Sequence, residues 1–141
     1  MVWDDYHLNQ FSIGDIDYGQ PHPDYGFDLR NEKNVKLSQV VTEEKFKFDY
    51  IYDFGDDWEH QVVVEKVLPL VPAVRYPVCL AGKRACPPED CGGIWGYTQL
   101  LEALADPQVP EHEKMLEWQG GSIDPEAFDL NEINQRLLSL E

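Results

Sequence analysis

Apolar residues fall at every second position through much of the first half of the chain, and at every third or fourth through the second half. Between Tyr6 and Tyr18 the runs HLNQFSI and IDY flank Gly14-Asp15, the pattern of a tight hairpin. GQPHPDYGFD follows, and its prolines and glycines mark a loop. Val35 and Leu37 suggest a short strand, and LSQVV a single turn of helix. The clearest signal is KFKFDYIYDF, which sets Phe46, Phe48, Tyr50 and Tyr52 on one face of a strand. FGDD supplies a turn. WEHQVVVEKV then alternates again, with Trp58, His60, Val62 and Val64 on one face, so the two strands form a hairpin with one buried side.

Helical spacing takes over after residue 93. IWGYTQLLEALADP places Ile94, Tyr97, Leu101 and Leu104 in one stripe and ends at Asp106-Pro107. Pro110 can open a second helix, EHEKMLEW, which Gly120-Gly121 stops. Asp129 caps a third, with Glu132 at the capping-box position and Leu130, Ile133 and Leu137 as its apolar stripe. Strands followed by helices predict an α+β domain over residues 1–141, not a doubly wound parallel sheet.

The 141 residues suffice for one hydrophobic core, and no apolar run approaches membrane-spanning length. MVWDDYHLNQ has neither the basic region nor the apolar stretch of a signal peptide, so the expected compartment is the cytoplasm, where thiols stay reduced. The formal charge is -16, from 11 basic and 27 acidic residues. Such a field repels polyanions and favours a basic protein partner. Lys83-Arg84 beside Arg75 is the nearest approach to a phosphate-binding patch, and it is read as offsetting local acids. Neither direct nucleic-acid binding nor membrane association is expected.

Three constellations could carry chemistry. Cys79, Cys86 and Cys91 lie in CLAGKRACPPEDCGG with spacings x6 and x4, and His60 could complete a Cys3His zinc set. The spacing is looser than a zinc knuckle, and the same segment has a structural logic. Its prolines fix the chain, Gly92-Gly93 permit positive φ, and Glu89 and Asp90 are acids before a helix start. Alternatively Cys91 is a nucleophile, with His60 or His7 as base oriented by Asp56 or Asp57. Finally, DFGDDWEH gathers Asp53, Asp56, Asp57, Glu59 and His60. It reads either as a carboxylate–imidazole cluster able to hold a cation or move protons, or as a solvated acidic turn beside a core histidine. The aromatic stripe of Phe46, Phe48, Tyr50 and Tyr52 reads as core, because the acidic charge opposes base stacking.

With WDDYHLNQFSIG, YDFGDDWEHQVVVE, YPVCLAGKRACPPEDCGGIWGYTQLLEAL and DPEAFDLNEINQRL in order along nearly the whole chain, the sequence resembles the plasmid ORF-three-like proteins, named after an open reading frame of a root-inducing plasmid. The resemblance implies an α/β roll, in which a curved, mainly antiparallel sheet packs on C-terminal helices, and it implies no settled activity. It also implies an upstream hairpin and helix ahead of a stretch similar to MVWDDYHL. Met1 would then occupy a family interior. Trp3, Leu8 and Phe11 would lose cover, and the chain would be prone to self-association. The expected function is that of a non-enzymatic accessory domain of plasmid or mobile-element origin acting through protein contacts. The alternative is a metalloprotein or cysteine-dependent enzyme using the Cys79–Cys91 loop with His60.

The charge balance generates the first prediction. Duplex DNA at physiological salt should show no measurable affinity in an anisotropy titration. Binding with a steep salt slope would count phosphate contacts directly and contradict this reading.

Overall fold

The computed structural model describes residues 3–24 and 28–140. Met1-Val2, residues 25–27 within the predicted loop, and Glu141 lie outside that description. Contacts divide the chain into two compact units, one comprising Trp3–Leu68 with Gly92–Ile94, the other Pro69–Cys91 with the chain from Trp95 onward. The architecture is α+β, as expected: an open five-stranded mixed sheet in the first unit and three helices in the C-terminal part.

The sheet has the order β3-β2-β1-β4-β5. Strands β1 (Asn9–Ile13) and β2 (Ile16–Gly19) form the expected hairpin, turning at Gly14 with φ 62°. Strands β4 (Lys47–Tyr52) and β5 (Trp58–Val63) form the second, and β1 pairs antiparallel with β4. The short β3 (Arg30–Asn31) pairs parallel with β2, which makes the sheet mixed. Val35 is extended but forms no strand with Leu37. Instead Glu32–Asn34 is a 3-10 turn capped by Asn31, and Leu37–Val40 is the predicted helical turn, α1. Two residues cannot show an alternating pattern, so nothing in the sequence separated a strand from a capped turn there.

Register puts the predicted faces together. Tyr18 pairs with Phe11, Phe11 with Tyr50 and Tyr50 with His60, so one row of rings crosses four strands. The neighbouring row is Asn9, Tyr52 and Trp58. Ile13, Tyr18, Val41 and Phe48 form the buried cluster, with Phe11, Ile16, Val40 and Phe46 packed against it. Trp3 closes one end of the face. It stacks on Tyr52 at 4.8 Å between ring centres and lies 5.6 Å from Trp58. Trp3, Leu8 and Phe11 are all half-buried.

The helices α2 (Gly93–Ala105), α3 (His112–Gln119) and α4 (Leu130–Leu138) follow the predicted order, and from Trp95 onward they belong to the second unit. Besides Gly93, the buried positions of α2 are Leu100 and Ala103, one step from the expected stripe, and Ile94 is 63% exposed. Gly96 lies one turn before Leu100, and a Cβ there would collide with the Cys91 carbonyl. Gly120 ends α3 in the left-handed conformation. Asp129 caps α4, its carboxylate accepting from the N–H groups of Asn131 and Glu132 at 2.8 and 3.0 Å.

Trp58, 9% exposed at the centre of the ring cluster, sets the second prediction. Trp58→Ala should cost about 3–5 kcal/mol in a denaturant titration. Asp57 is exposed and has φ 55°, so Asp57→Gly should be neutral or stabilising by less than about 1 kcal/mol. Equal losses in the two variants would mean that the Asp57 carboxylate holds something in place.

Candidate functional site

The turn between β4 and β5 organises the polar chemistry of the sheet unit. Asp53 is buried, 8% exposed, at φ 59°. Its N–H donates to the Leu8 carbonyl at 2.9 Å, and its carbonyl accepts from Asp57 at 2.6 Å. Its Oδ1 accepts from the Gly55 N–H at 2.9 Å, and its Oδ2 lies 3.6 Å from His7 Nδ1. Asp53 is therefore not a solvated aspartate, as the acidic-turn reading of DFGDDWEH had it. Aspartate tolerates the left-handed conformation because its short side chain bonds locally to backbone. Asp56 serves differently, its Oδ2 accepting from the Gly92 N–H at 3.0 Å. The turn of YDFGDDWEH and the glycines of PPEDCGG thus meet within the sheet unit. Gly93 has φ 64°, and a Cβ there would collide with the Asp56 carbonyl.

The candidate ligands are distributed as follows. His60 is half-buried on β5, with Nδ1 3.1 Å from the Tyr50 carbonyl and its ring 5.5 Å from Tyr50 and 5.7 Å from Trp3. Cys79, Cys86 and Cys91 are half-buried cysteines in the second unit. Cys79 is tied to α4 through its backbone: its N–H donates to Asn134 Oδ1 at 2.8 Å, and Asn134 Nδ2 donates back to the Cys79 carbonyl at 3.0 Å. Cys86 and Cys91 neighbour Tyr97, whose phenol is pushed up by burial and then by the negative charge those thiols would carry. Cys91 also borders a cavity of about 680 Å3 with Met115, Lys114 and Trp118. A Cβ at Gly96 would collide with the Cys91 carbonyl, so this loop needs glycine at that position. Among the described residues, no group of three metal-ligating side chains includes a cysteine or His60.

Sequence reasoning missed a cavity of about 450 Å3 on the ring-bearing side of the sheet. Phe11, Ile13 and Val40 give it an apolar floor, and Asp5, Glu32 and the Tyr50 phenol bring polar groups to it. Glu32 Oε2 accepts from Asn9 Nδ2 at 2.8 Å, which fixes the carboxylate. Burial pushes the Tyr50 phenol above its usual value, and the negative charges of Asp5 and then Glu32 push it further. No local motif marks this set. Asp5 precedes β1, Glu32 follows β3 and Tyr50 lies on β4, so only the strand order brings them together.

An α+β protein with an aromatic sheet face, an acid-bordered cavity and a thiol-bearing loop is the class that these observations define. The chain belongs to the plasmid pRiA4b ORF-3-like protein family, whose model it matches over residues 1–132. It is 39% identical over 137 residues to the uncharacterized protein y4hQ of Sinorhizobium fredii (strain NBRC 101917 / NGR234), spanning 96% of this chain and 70% of that one. Among solved structures it is similar to the protein of unknown function MM3350 from Methanosarcina mazei Go1, with 42% identity and a TM-score of 0.79 over 92% of this chain and 74% of that one.

Tyr50 sets the third prediction. An unperturbed phenol ionises near pH 10, and in the folded chain Tyr50 should ionise above that. The stabilisation tied to its neutral form is complete below about pH 10 and is lost as pH rises through the folded-state value, because the unfolded chain releases this proton first. Ultraviolet titration of the folded protein should show a late-ionising phenol that disappears in Tyr50→Phe. A Tyr50→Phe variant with an unchanged titration curve would show that the three groups do not interact.

Proposed function

We propose that this chain is a non-enzymatic accessory domain, in a family of plasmid origin, that binds a basic segment of another protein through the cavity bordered by Asp5, Glu32 and Tyr50. The observation that carries this reading is the convergence of two carboxylates and a phenol over an apolar floor. A lysine or arginine side chain has the complementary form, an apolar stem with a cation at its end. The net charge of -16 works in the same direction. Acidic surroundings steer a cationic segment toward the cavity and raise its encounter rate at low salt. The apolar floor then supplies what long-range charge cannot, a contact that survives screening.

The test uses short peptides that carry a lysine or arginine next to an apolar residue, titrated into the whole chain by calorimetry. Binding should appear at low salt and weaken as salt rises. Asp5→Asn and Glu32→Gln should each weaken it by about tenfold, equivalent to about 1.4 kcal/mol. Val40→Ser, which changes only the floor, should weaken it while leaving the salt slope unchanged. Failure of every such peptide to bind, or binding untouched by Asp5→Asn and Glu32→Gln, would overturn the reading.

A further inference from the structure

The charges of the chain are unevenly placed. From Lys66 to Pro88 it carries none of its 27 acidic residues and 4 of its 11 basic ones, Lys66, Arg75, Lys83 and Arg84. Within that stretch, Lys66 to Leu80 is also an exposed apolar arm. Leu68, Leu70 and Leu80 are 73, 82 and 85% exposed, and Val74 and Tyr76, the neighbours of Arg75, are 44 and 49% exposed. Given the peptide-binding role proposed above, we infer that the partner is a second copy of this chain, whose Lys66–Leu80 arm places Arg75 in the cavity bordered by Asp5, Glu32 and Tyr50.

Arg75 has the form that the cavity calls for, a cation between apolar residues. Its side chain is also uncommitted to any acid. Its polar contact among the described residues is the Leu140 carbonyl at 3.4 Å, at the long end of the hydrogen-bond range, and no carboxylate pairs with it there. Arg84, by contrast, is held by Glu126 at 3.2 Å.

The cavity is uncommitted in the matching sense. Neither Asp5 nor Glu32 forms an ion pair with a cation among the described residues. Asn9 Nδ2 occupies Glu32 Oε2 and leaves Oε1 for a guanidinium. The rings of Phe11 and Tyr50, 4.6 Å apart between centres and tilted by 39°, supply an aromatic surface on which a guanidinium stacks. Leu37 lines the same cavity and is 57% exposed, an apolar contact for Val74 or Tyr76.

Charge complementarity favours a second copy as the occupant. The body outside Lys66–Pro88 holds every acid of the chain, so each copy offers a basic arm and an acidic cavity at once. Two whole copies repel through their charge of -16, and the attraction is therefore local to this contact. Residues 64–92 form neither helix nor strand, and Pro69, Pro72 and Pro77 restrict the arm. A restricted arm loses less entropy on docking than a flexible one. Reciprocal exchange of arms fills both cavities and closes a dimer.

The experiment weighs the whole chain, thiols reduced, by sedimentation equilibrium over a concentration series at moderate salt. The mass should rise toward that of a dimer. Arg75→Glu and Glu32→Lys should each weaken association by about tenfold or more, and Asp5→Lys should do the same without touching the Asn9 contact. The doubly substituted chain, Arg75→Glu with Glu32→Lys, should regain association, which a merely structural role for either residue does not explain. Lys114→Glu, an equal charge change outside the arm and the cavity, should leave association unchanged. A chain that stays monomeric throughout the series would overturn the inference. So would association that the arm and cavity variants leave intact, or a charge swap that restores nothing. Monomeric protein that still binds unrelated lysine or arginine peptides at the cavity would leave the peptide-binding reading standing with a different protein as partner. Failure of those peptides as well would remove both.

Discussion

The buried carboxylate of Asp53 is the constraint on which the rest of the sheet unit depends. It sits where β4 ends, in a conformation few side chains accept, and it holds that conformation with its own Oδ1 on the Gly55 N–H. From there its backbone reaches Leu8 in one direction and Asp57 in the other. One residue therefore joins the entry of β1 to the turn of the β4–β5 hairpin. A left-handed non-glycine residue costs on the order of 1–3 kcal/mol and persists only where its surroundings enforce it. Here the backbone bonds, the side-chain bond and the neighbouring Tyr52 and Trp58 rings enforce it together. Tyr52 directly precedes Asp53 and pairs with Trp58 across the ladder, which sets the platform on which Trp3 stacks.

The three aspartates of DFGDD illustrate how position divides one residue type among different physical roles. Asp53 is buried and shapes the turn. Asp56 is half-buried and receives the N–H of Gly92. Asp57 is exposed, and its positive φ is needed only to re-enter the next strand. Composition counts all three equally toward the negative charge. Their contributions to stability and binding differ because water screens the exposed one and not the buried one.

How much of this was legible in the sequence varied with the range of the interaction. Period-two alternation located both hairpins, and the pairing of Phe48, Tyr50 and Tyr52 with Val62, His60 and Trp58 follows once the turn is placed. Capping residues located the end of α3 and the start of α4 because caps are local hydrogen bonds. The face of α2 was misjudged by one position: Leu100 and Ala103 are buried where Leu101 and Leu104 were expected, because a run of adjacent apolar residues does not fix which of two neighbouring stripes faces inward. β3 was invisible, since its two residues owe their conformation to a parallel neighbour and not to their own side chains. The Asp5–Glu32–Tyr50 cavity was hidden for a stronger reason: three elements distant in sequence must assemble before it exists. The motif DFGDDWEH did draw attention to Asp53. Its burial depends on the bond to Leu8, a long-range pairing that no periodicity encodes.

The cysteine loop shows why a dense motif need not carry its most reactive-looking chemistry. CLAGKRACPPEDCGG meets two demands that the fold itself makes on it. Its first cysteine offers a backbone amide and carbonyl to Asn134, a reciprocal pair that fixes the loop to α4. Its closing glycines must pass Asp56 closely enough that Gly93 can carry no side chain. Both demands are met by backbone atoms, so they restrict conformation without specifying a thiol. Prolines and glycines are then the informative letters of the motif. The thiols of Cys86 and Cys91 lie beside Tyr97, where a thiolate and a phenolate would repel each other, as the upward push on the phenol records. Arg84 opposes that push only as the weakest influence on Tyr97, and it is already paired with Glu126 at 3.2 Å. The polar chemistry best organised by the backbone lies on the sheet unit, at Asp53, whose carboxylate and main chain are both held by backbone groups.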